Sequence, residues 1–270
     1  MTGPAAEIRP EAQTTPAAAG SARARLVGVT GGVWALAAAL ALSGEPRAVA
    51  MGGAFAIGWS HLVGRCGISH LGTMTPRGKI PGQRRYWLVQ VLVYVAAGVV
   101  ASAAVGMGLA AIGGLVIPDS IRDAALGVVI LVAGVAAASE LGLIRWRLPE
   151  PNRQTRQAWG YTFRRPVAAA LWGFGLGLTF ATVFTFSGVW LVLTLPAALG
   201  EAGFGAALLV THWLGRAVSI LAGPVLLHSP AYTNELLDEI EESRTVFRIT
   251  NIAGIVLMAA ALVGLLLEGV

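Results

Sequence analysis

Seven long apolar stretches constrain the fold of this chain more than any other feature of its sequence. They cover residues 26–43, 47–64, 86–117, 122–144, 167–197, 204–227 and 249–267. Each reaches, or nearly reaches, the roughly 20 residues that a helix needs to cross the hydrocarbon core of a bilayer. Charged residues make up 12% of the chain, about half of their usual share in a soluble domain. The sequence therefore predicts an all-α polytopic membrane protein and excludes a soluble globular one.

The distribution of basic residues predicts the orientation in the membrane. All but three of the 19 Lys and Arg residues lie in segments 1–25, 65–85, 145–166 and 228–248. The exceptions are Arg47 and Arg122 in the alternate loops and Arg216 inside a span. Because cationic loops stay on the cytoplasmic side, we expect seven spans in a bacterial plasma membrane, with the N-terminus in the cytoplasm and the C-terminus outside. Because the membrane topology explains the excess of basic residues, we expect no nucleic-acid partner. The expected partner is membrane lipid.

The apolar stretches divide the chain into five parts. Residues 1–25 are predicted to be a disordered cytoplasmic tail, and residues 26–43 an extra N-terminal membrane helix, with a cleaved signal peptide as the alternative. The rest forms two three-span repeats, 47–144 and 167–267, separated by a basic cytoplasmic loop, 145–166. Because three is an odd number, the halves cross the membrane in opposite directions, which predicts an inverted repeat.

Both halves open with an apolar segment that is interrupted by glycines. The first is GGAFAIGWSHLVGRCGISHLG at 52–72 and the second is GFGLGLTFATVFTFSG at 173–188. Interrupted segments at matching positions of two inverted halves indicate a binding site near the membrane midplane, as in transporters. The stretch 167–197 is too long for one straight span, so we expect a broken or strongly tilted helix there.

Short motifs in these segments resemble those of a known family. Residues 64–72 (GRCGISHLG) are similar to its first Pro-Cys motif, and residues 177–180 (GLTF) and 184–188 (FTFSG) are similar to its second. The family is the cytochrome c biogenesis/thiol-disulfide transporter family, the CcdA/DsbD core of the LysE-type superfamily. MauF-like methylamine-utilisation accessory proteins are a related branch. The resemblance implies the inverted three-helix repeats and a role in maturing extracytoplasmic proteins.

The sequence also departs from the family pattern. Both prolines of the Pro-Cys motifs are missing, and Ser187 stands where the family has its second cysteine. Family members pass electrons through a disulfide between two membrane-embedded cysteines, whereas Cys66 is the only cysteine of this chain. A redox role for Cys66 would therefore need a transient disulfide with a partner, such as a periplasmic thioredoxin-like protein.

Cys66 is the candidate catalytic residue, because the neighbouring Arg65 would favour its reactive thiolate. An inert apolar-facing cysteine is the alternative. Thiolate and imidazole ligands suit soft metals, which makes His70 and Cys66 weak metal candidates. At about 100° per residue, however, His61 and His70 lie on opposite faces of one helix, so the two histidines and Cys66 could converge only if Gly64 or Gly67 breaks that helix. We therefore predict no metal site and no cofactor, and interpret His61 and His70 as residues that line a polar pathway.

Arg216 falls at the centre of its span, where an unpaired arginine costs at least about 2.5–3.5 kcal/mol. We therefore expect it to face the protein interior on the substrate pathway, with His212 one turn earlier on the same face. Glu140, near the inner end of the stretch 122–144, is the acid that could just reach Arg216. The alternative places Arg216 on the backbone carbonyls of a broken helix.

A run of hydroxyl side chains completes the candidate pathway. Thr179, Thr182 and Thr185 recur every three residues and are followed by Ser187. They either line the centre of the second half or bond carbonyls of the preceding helical turn.

Two functions are consistent with these residues. The first is maturation or redox supply of extracytoplasmic proteins, with a cytochrome or amine dehydrogenase as client. The second is transport of a small solute or metal ion. A purely structural membrane subunit is a third reading. No familiar enzyme motif occurs, so enzymatic activity is not favoured.

Overall fold

A computed structural model describes residues 16–74, 83–145, 149, 155–156, 158–182, 184–226 and 233–269 of the chain. These residues form helices and connecting turns, and no strand occurs among them. The α-helices are α1 (Pro16–Ala41), α2 (Pro46–Ser60), α3 (Arg65–Met74), α4 (Gln83–Val116), α5 (Arg122–Glu140), α6 (Trp159–Thr162), α7 (Arg165–Gly177), α8 (Val189–Leu199), α9 (Ala202–Leu221), α10 (Gly223–Leu226), α11 (Thr233–Glu242) and α12 (Arg244–Glu268). Short 3-10 helices cover His61–Val63 and Asp119–Ile121.

Five helical segments of the described chain are long and apolar enough to cross a membrane. They are Ala22–Ala41, Arg84–Val116, Asp119–Glu140, Ala202–Leu226 and Arg244–Glu268. The predicted all-α class is confirmed at this level. The other two predicted spans, 47–64 and 167–197, consist of shorter helices, so the count of seven spans and the inverted repeat stay predictions.

Both glycine-interrupted segments are broken helices. The first half opens with α2, which ends at Ser60, continues as a 3-10 turn, and resumes as α3 after Gly64. The second opens with α7, which ends at Gly177, and α8 begins only at Val189. The break expected within 167–197 is therefore confirmed.

The first helix starts earlier than the sequence analysis expects. Residues 16–25, assigned there to the disordered tail, are the first turns of α1. Their alanines and arginines have high helix propensity, and a proline is favoured at the first helical position. Both properties favour a helix without apolar residues, whereas the predicted boundary was placed where the apolar run begins. Residues 1–15 lie outside the described chain.

Glycines allow the helices of the two halves to pack backbone against backbone. A methyl group on Gly58 of α2 would overlap the backbone of α9, and one on Gly215 of α9 would overlap the backbone of α2. A methyl group on Gly177 of α7 would overlap the backbone of α4. Where α4 crosses α9, a methyl group on Gly106 would overlap the backbone of Gly205, and one on Gly205 would overlap the backbone of Gly106. Such close contacts between small residues are a principal source of packing energy in membrane helices.

The longest helix of the described chain, α4, packs along the helices of the second half. Its 34 residues span about 51 Å at 1.5 Å per residue. It packs against α7, α8 and α9, and its outer face carries exposed apolar side chains such as Leu92 and Ile112.

Candidate functional site

The breaks of the two halves meet in the centre of the bundle. A methyl group on Gly64, at the first break, would overlap the hydroxyl oxygen of Thr185 at the second. The ring centroids of His61 and Phe186 are 6.4 Å apart, with the rings edge to face. The candidate site is therefore built from the two segments that the glycine spacing singles out.

Local hydrogen bonds and glycines produce the first break. The Ser60 hydroxyl donates to the carbonyl oxygen of Ile57 at 2.6 Å, and His61 Nδ1 lies 2.8 Å from the same oxygen. Gly64 has an extended backbone that ends the 3-10 turn. Gly67 packs onto the carbonyl of Leu62, so only a residue without a side chain lets α3 fold so closely against the turn.

The second break leaves the carbonyl end of α7 inside the protein, where two polar side chains bond it. The Ser102 hydroxyl donates to the carbonyl of Gly177 at 2.9 Å, and Arg216 Nη1 donates to that of Leu176 at 3.4 Å. A cation at a helix C-terminus is stabilised by the helix dipole. This is the alternative given in the sequence analysis, in which Arg216 binds backbone carbonyls of a broken helix. Glu140 instead accepts a hydrogen bond from the backbone N–H of Ser187.

Backbone strain marks the same break. Thr179 has a φ of 56° and is the one non-glycine residue with positive φ in the described chain. A β-branched residue is rare in this conformation, and such strain concentrates at functional sites. The threonines do not share a helix face, because this segment is not helical. The Thr182 hydroxyl is buried without a partner among the described residues.

Two buried histidines from different halves lie side by side at the breaks. The ring centroids of His61 and His212 are 5.7 Å apart, and the residues are 4% and 0% exposed. Because a carbonyl can only accept, His61 Nδ1 is the donor in this contact and carries a proton. His61 Nε2 and both ring nitrogens of His212 lack a hydrogen-bond partner within the described chain.

A cavity of about 400 Å³ lies beside the second break. Its walls are the end of α5, the start of α12 and the segment 184–190, and Phe186 separates it from His61. Glu140 lines it, and the Glu140 carboxylate accepts a hydrogen bond of 2.6 Å from the backbone N–H of Ser187. Three arginines line it as well, Arg145, Arg244 and Arg248.

The remaining predicted site residues lie elsewhere. His70 packs against Tyr94 and Trp172, with ring centroids 6.3 and 5.2 Å away, and its Nε2 is 3.3 Å from the Thr155 hydroxyl. Its neighbours differ from those of His61, and the break at Gly64 means that the two histidines do not share one continuous helix. The backbone of Cys66 lies in the first turn of α3, and its side chain is outside the described atoms. Among the described residues, no group of three His, Cys, Asp or Glu side chains is placed to hold a metal ion.

Sequence reasoning missed Phe186, Asn251 and the arginines of the cavity. Asn251 is 0% exposed, and neither polar atom of its side chain has a partner in the described structure. A polar residue inside the apolar stretch 249–267 was the available signal for it.

Comparison of the chain with protein-family models, with curated proteins and with solved structures gives no match.

Proposed function

We propose that this protein moves a small polar solute across a membrane, through a site between two inverted three-helix halves. The observation that carries the proposal is the meeting of two helix breaks, Gly64 against Thr185 and His61 against Phe186. Broken helices expose polar backbone groups at membrane depth, which is tolerated where they are buried in protein or line a cavity. The cavity beside the second break provides such a place.

The packing also supports an inverted repeat. If α2 corresponds to α7 and α4 to α9, exchanging the halves converts the α2–α9 contact into the α7–α4 contact. Glycines with backbone contacts lie at both, Gly58 with α9 and Gly177 with α4. The predicted orientation puts the cavity on the cytoplasmic side, because it lies at the end of α5 and the start of α12.

Cysteine labelling tests this arrangement. Replacing the single cysteine by Cys66→Ser gives a cysteine-free chain, into which Thr185→Cys places a thiol at the cavity wall. We expect a membrane-impermeant maleimide to label it in inside-out vesicles but not in intact cells. Leu208→Cys is the control, because Leu208 is fully buried in α9. Labelling from the outside only, or no more than in the control, would contradict the proposal.

A thiol relay in the maturation of extracytoplasmic proteins is the second candidate function. Cys66 favours it, since its position in the first turn of α3 follows the break directly. Without a second cysteine the thiolate would attack a disulfide of a partner, form a mixed disulfide and release one partner thiol. In a deletion strain complemented with Cys66→Ser, lost cytochrome or amine dehydrogenase maturation would support the relay. Full maturation, with a defect only in solute handling, would support transport.

A further inference from the structure

We infer that the cavity beside the second break binds a small soluble oxyanion, such as a carboxylate or a phosphate, and that Glu140 occupies the place of that anion in the structure described here. The inference rests on the proposed function, since it names the solute class of the same site. Two features of the described residues carry it: the charge of the cavity wall and the position of the Glu140 carboxylate.

The cavity wall is positively charged. It is lined by three basic residues, Arg145, Arg244 and Arg248, but by only one acidic residue, Glu140. Arg244 is 3.1 Å from Glu241, whereas Arg145 and Arg248 have no carboxylate partner in the described chain. Guanidinium groups bind carboxylates and phosphates through paired hydrogen bonds. Because these arginines come from α12 and from the segment after α5, an anion between them would join the two halves.

The Glu140 carboxylate occupies the position that we assign to the anion. Its Oε1 accepts the backbone N–H of Ser187 at 2.6 Å, two residues before α8 begins. The Ser187 N–H group precedes α8, in whose first turn the N–H groups of Trp190 and Leu191 already donate to the carbonyls of Ser187 and Gly188. A soluble anion at this position would replace the Glu140 carboxylate as the acceptor of the Ser187 N–H group.

The arginines of the lining also disfavour a divalent cation at this place. Arg145 and Arg248 would repel a divalent cation at the mouth, and Arg216 would repel it at the His61–His212 pair. The volume of about 400 Å³ lies within the range of small-molecule sites.

Tryptophan fluorescence gives a direct test, because Trp190 lines the cavity. The full-length protein in phosphatidylcholine nanodiscs is titrated with inorganic phosphate, succinate and zinc chloride. The Trp190→Phe variant identifies the response of this residue. We expect saturable responses to phosphate or succinate and none to zinc.

Two substitutions should change the anion affinity in opposite directions. Glu140→Gln removes the competing carboxylate, so the anion affinity should rise roughly tenfold, as expected for a unit charge about 8 Å away at an intermediate dielectric. Arg248→Gln should lower it by a similar factor. Glu268→Gln, an exposed carboxylate at the end of α12, is the matched control and should change nothing.

The outcomes separate the solute class from the proposed function. Zinc binding that Glu140→Gln abolishes would overturn the anion site and leave translocation standing. A response to phosphatidylglycerol in the nanodisc, with none to soluble anions, would also overturn it. Anion binding with the expected signs, but no cytoplasmic labelling of Thr185→Cys, would support the site and contradict inward access to it.

Discussion

The contact between the two breaks can be tested by adding a methyl group at the contact and then removing the atom that this methyl group overlaps. A Gly64→Ala methyl would overlap the Thr185 hydroxyl oxygen, while its distance to the Thr185 Cβ, 3.5 Å, is an ordinary contact. The φ of Gly64 is −76°, so alanine fits the backbone and the only penalty is steric. Overpacking of this kind costs about 1–3 kcal/mol. For a protein of this size it lowers the melting temperature by roughly 2–10 °C.

Thr185→Ala removes the overlapping atom and keeps the Cβ. We therefore expect the double variant Gly64→Ala/Thr185→Ala to regain most of the lost stability, with a coupling of at least about 1 kcal/mol. Tryptophan fluorescence during heating, in one detergent, measures all variants. Gly108→Ala is the control, because nothing lies within 4 Å of its added methyl, and it should raise stability by up to about 1 kcal/mol. Additive effects of the two substitutions would refute the contact between the halves.

Three further predictions concern topology, helix packing and the interior arginine. Alkaline phosphatase fused after Val270 should be active and fused within 150–160 inactive; the reverse pattern would overturn the orientation. Gly58→Ala should lower the melting temperature, because its methyl would overlap a backbone carbonyl of α9, whereas Gly134→Ala meets open space and should not; equal effects in a thermal scan would contradict the packing. Arg216→Met loses the 3.4 Å hydrogen bond to the Leu176 carbonyl but also removes a charge from the middle of a span, where an arginine costs at least about 2.5–3.5 kcal/mol. Its melting temperature should change little while complementation of a deletion strain is lost, and an active variant would remove Arg216 from the site.

The breaks could be predicted from the sequence because their cause is local. The glycines of 52–72 and 173–188 remove side chains at fixed positions, and the structure interrupts both helices there. Apolar length and the shortage of charge predicted the helical class for the same reason. Orientation and span number depend on the membrane itself, which no contact within the chain reports.

The composition of the site could not be predicted because it depends on contacts across the fold. Helical spacing assumed one continuous helix through His61 and His70, which the break at Gly64 interrupts. It also carries no information about His212, which lies on α9 of the other half. Glu140 was within conceivable reach of Arg216, yet the Ser187 N–H group is its partner. Asn251 becomes meaningful only once α12 is known to lie against Gly188.

The length of α4 ties the protein to the thickness of its bilayer. A helix of about 51 Å exceeds a hydrocarbon core of about 30 Å, whereas its neighbour α9 has 20 residues and matches that core. Such a mismatch is relieved by tilting the longer helix or by stretching the lipid chains around it. Because α4 crosses α9 at Gly106 and Gly205, any tilt of α4 changes the angle between the halves, so lipids of different acyl length would bias how the halves meet.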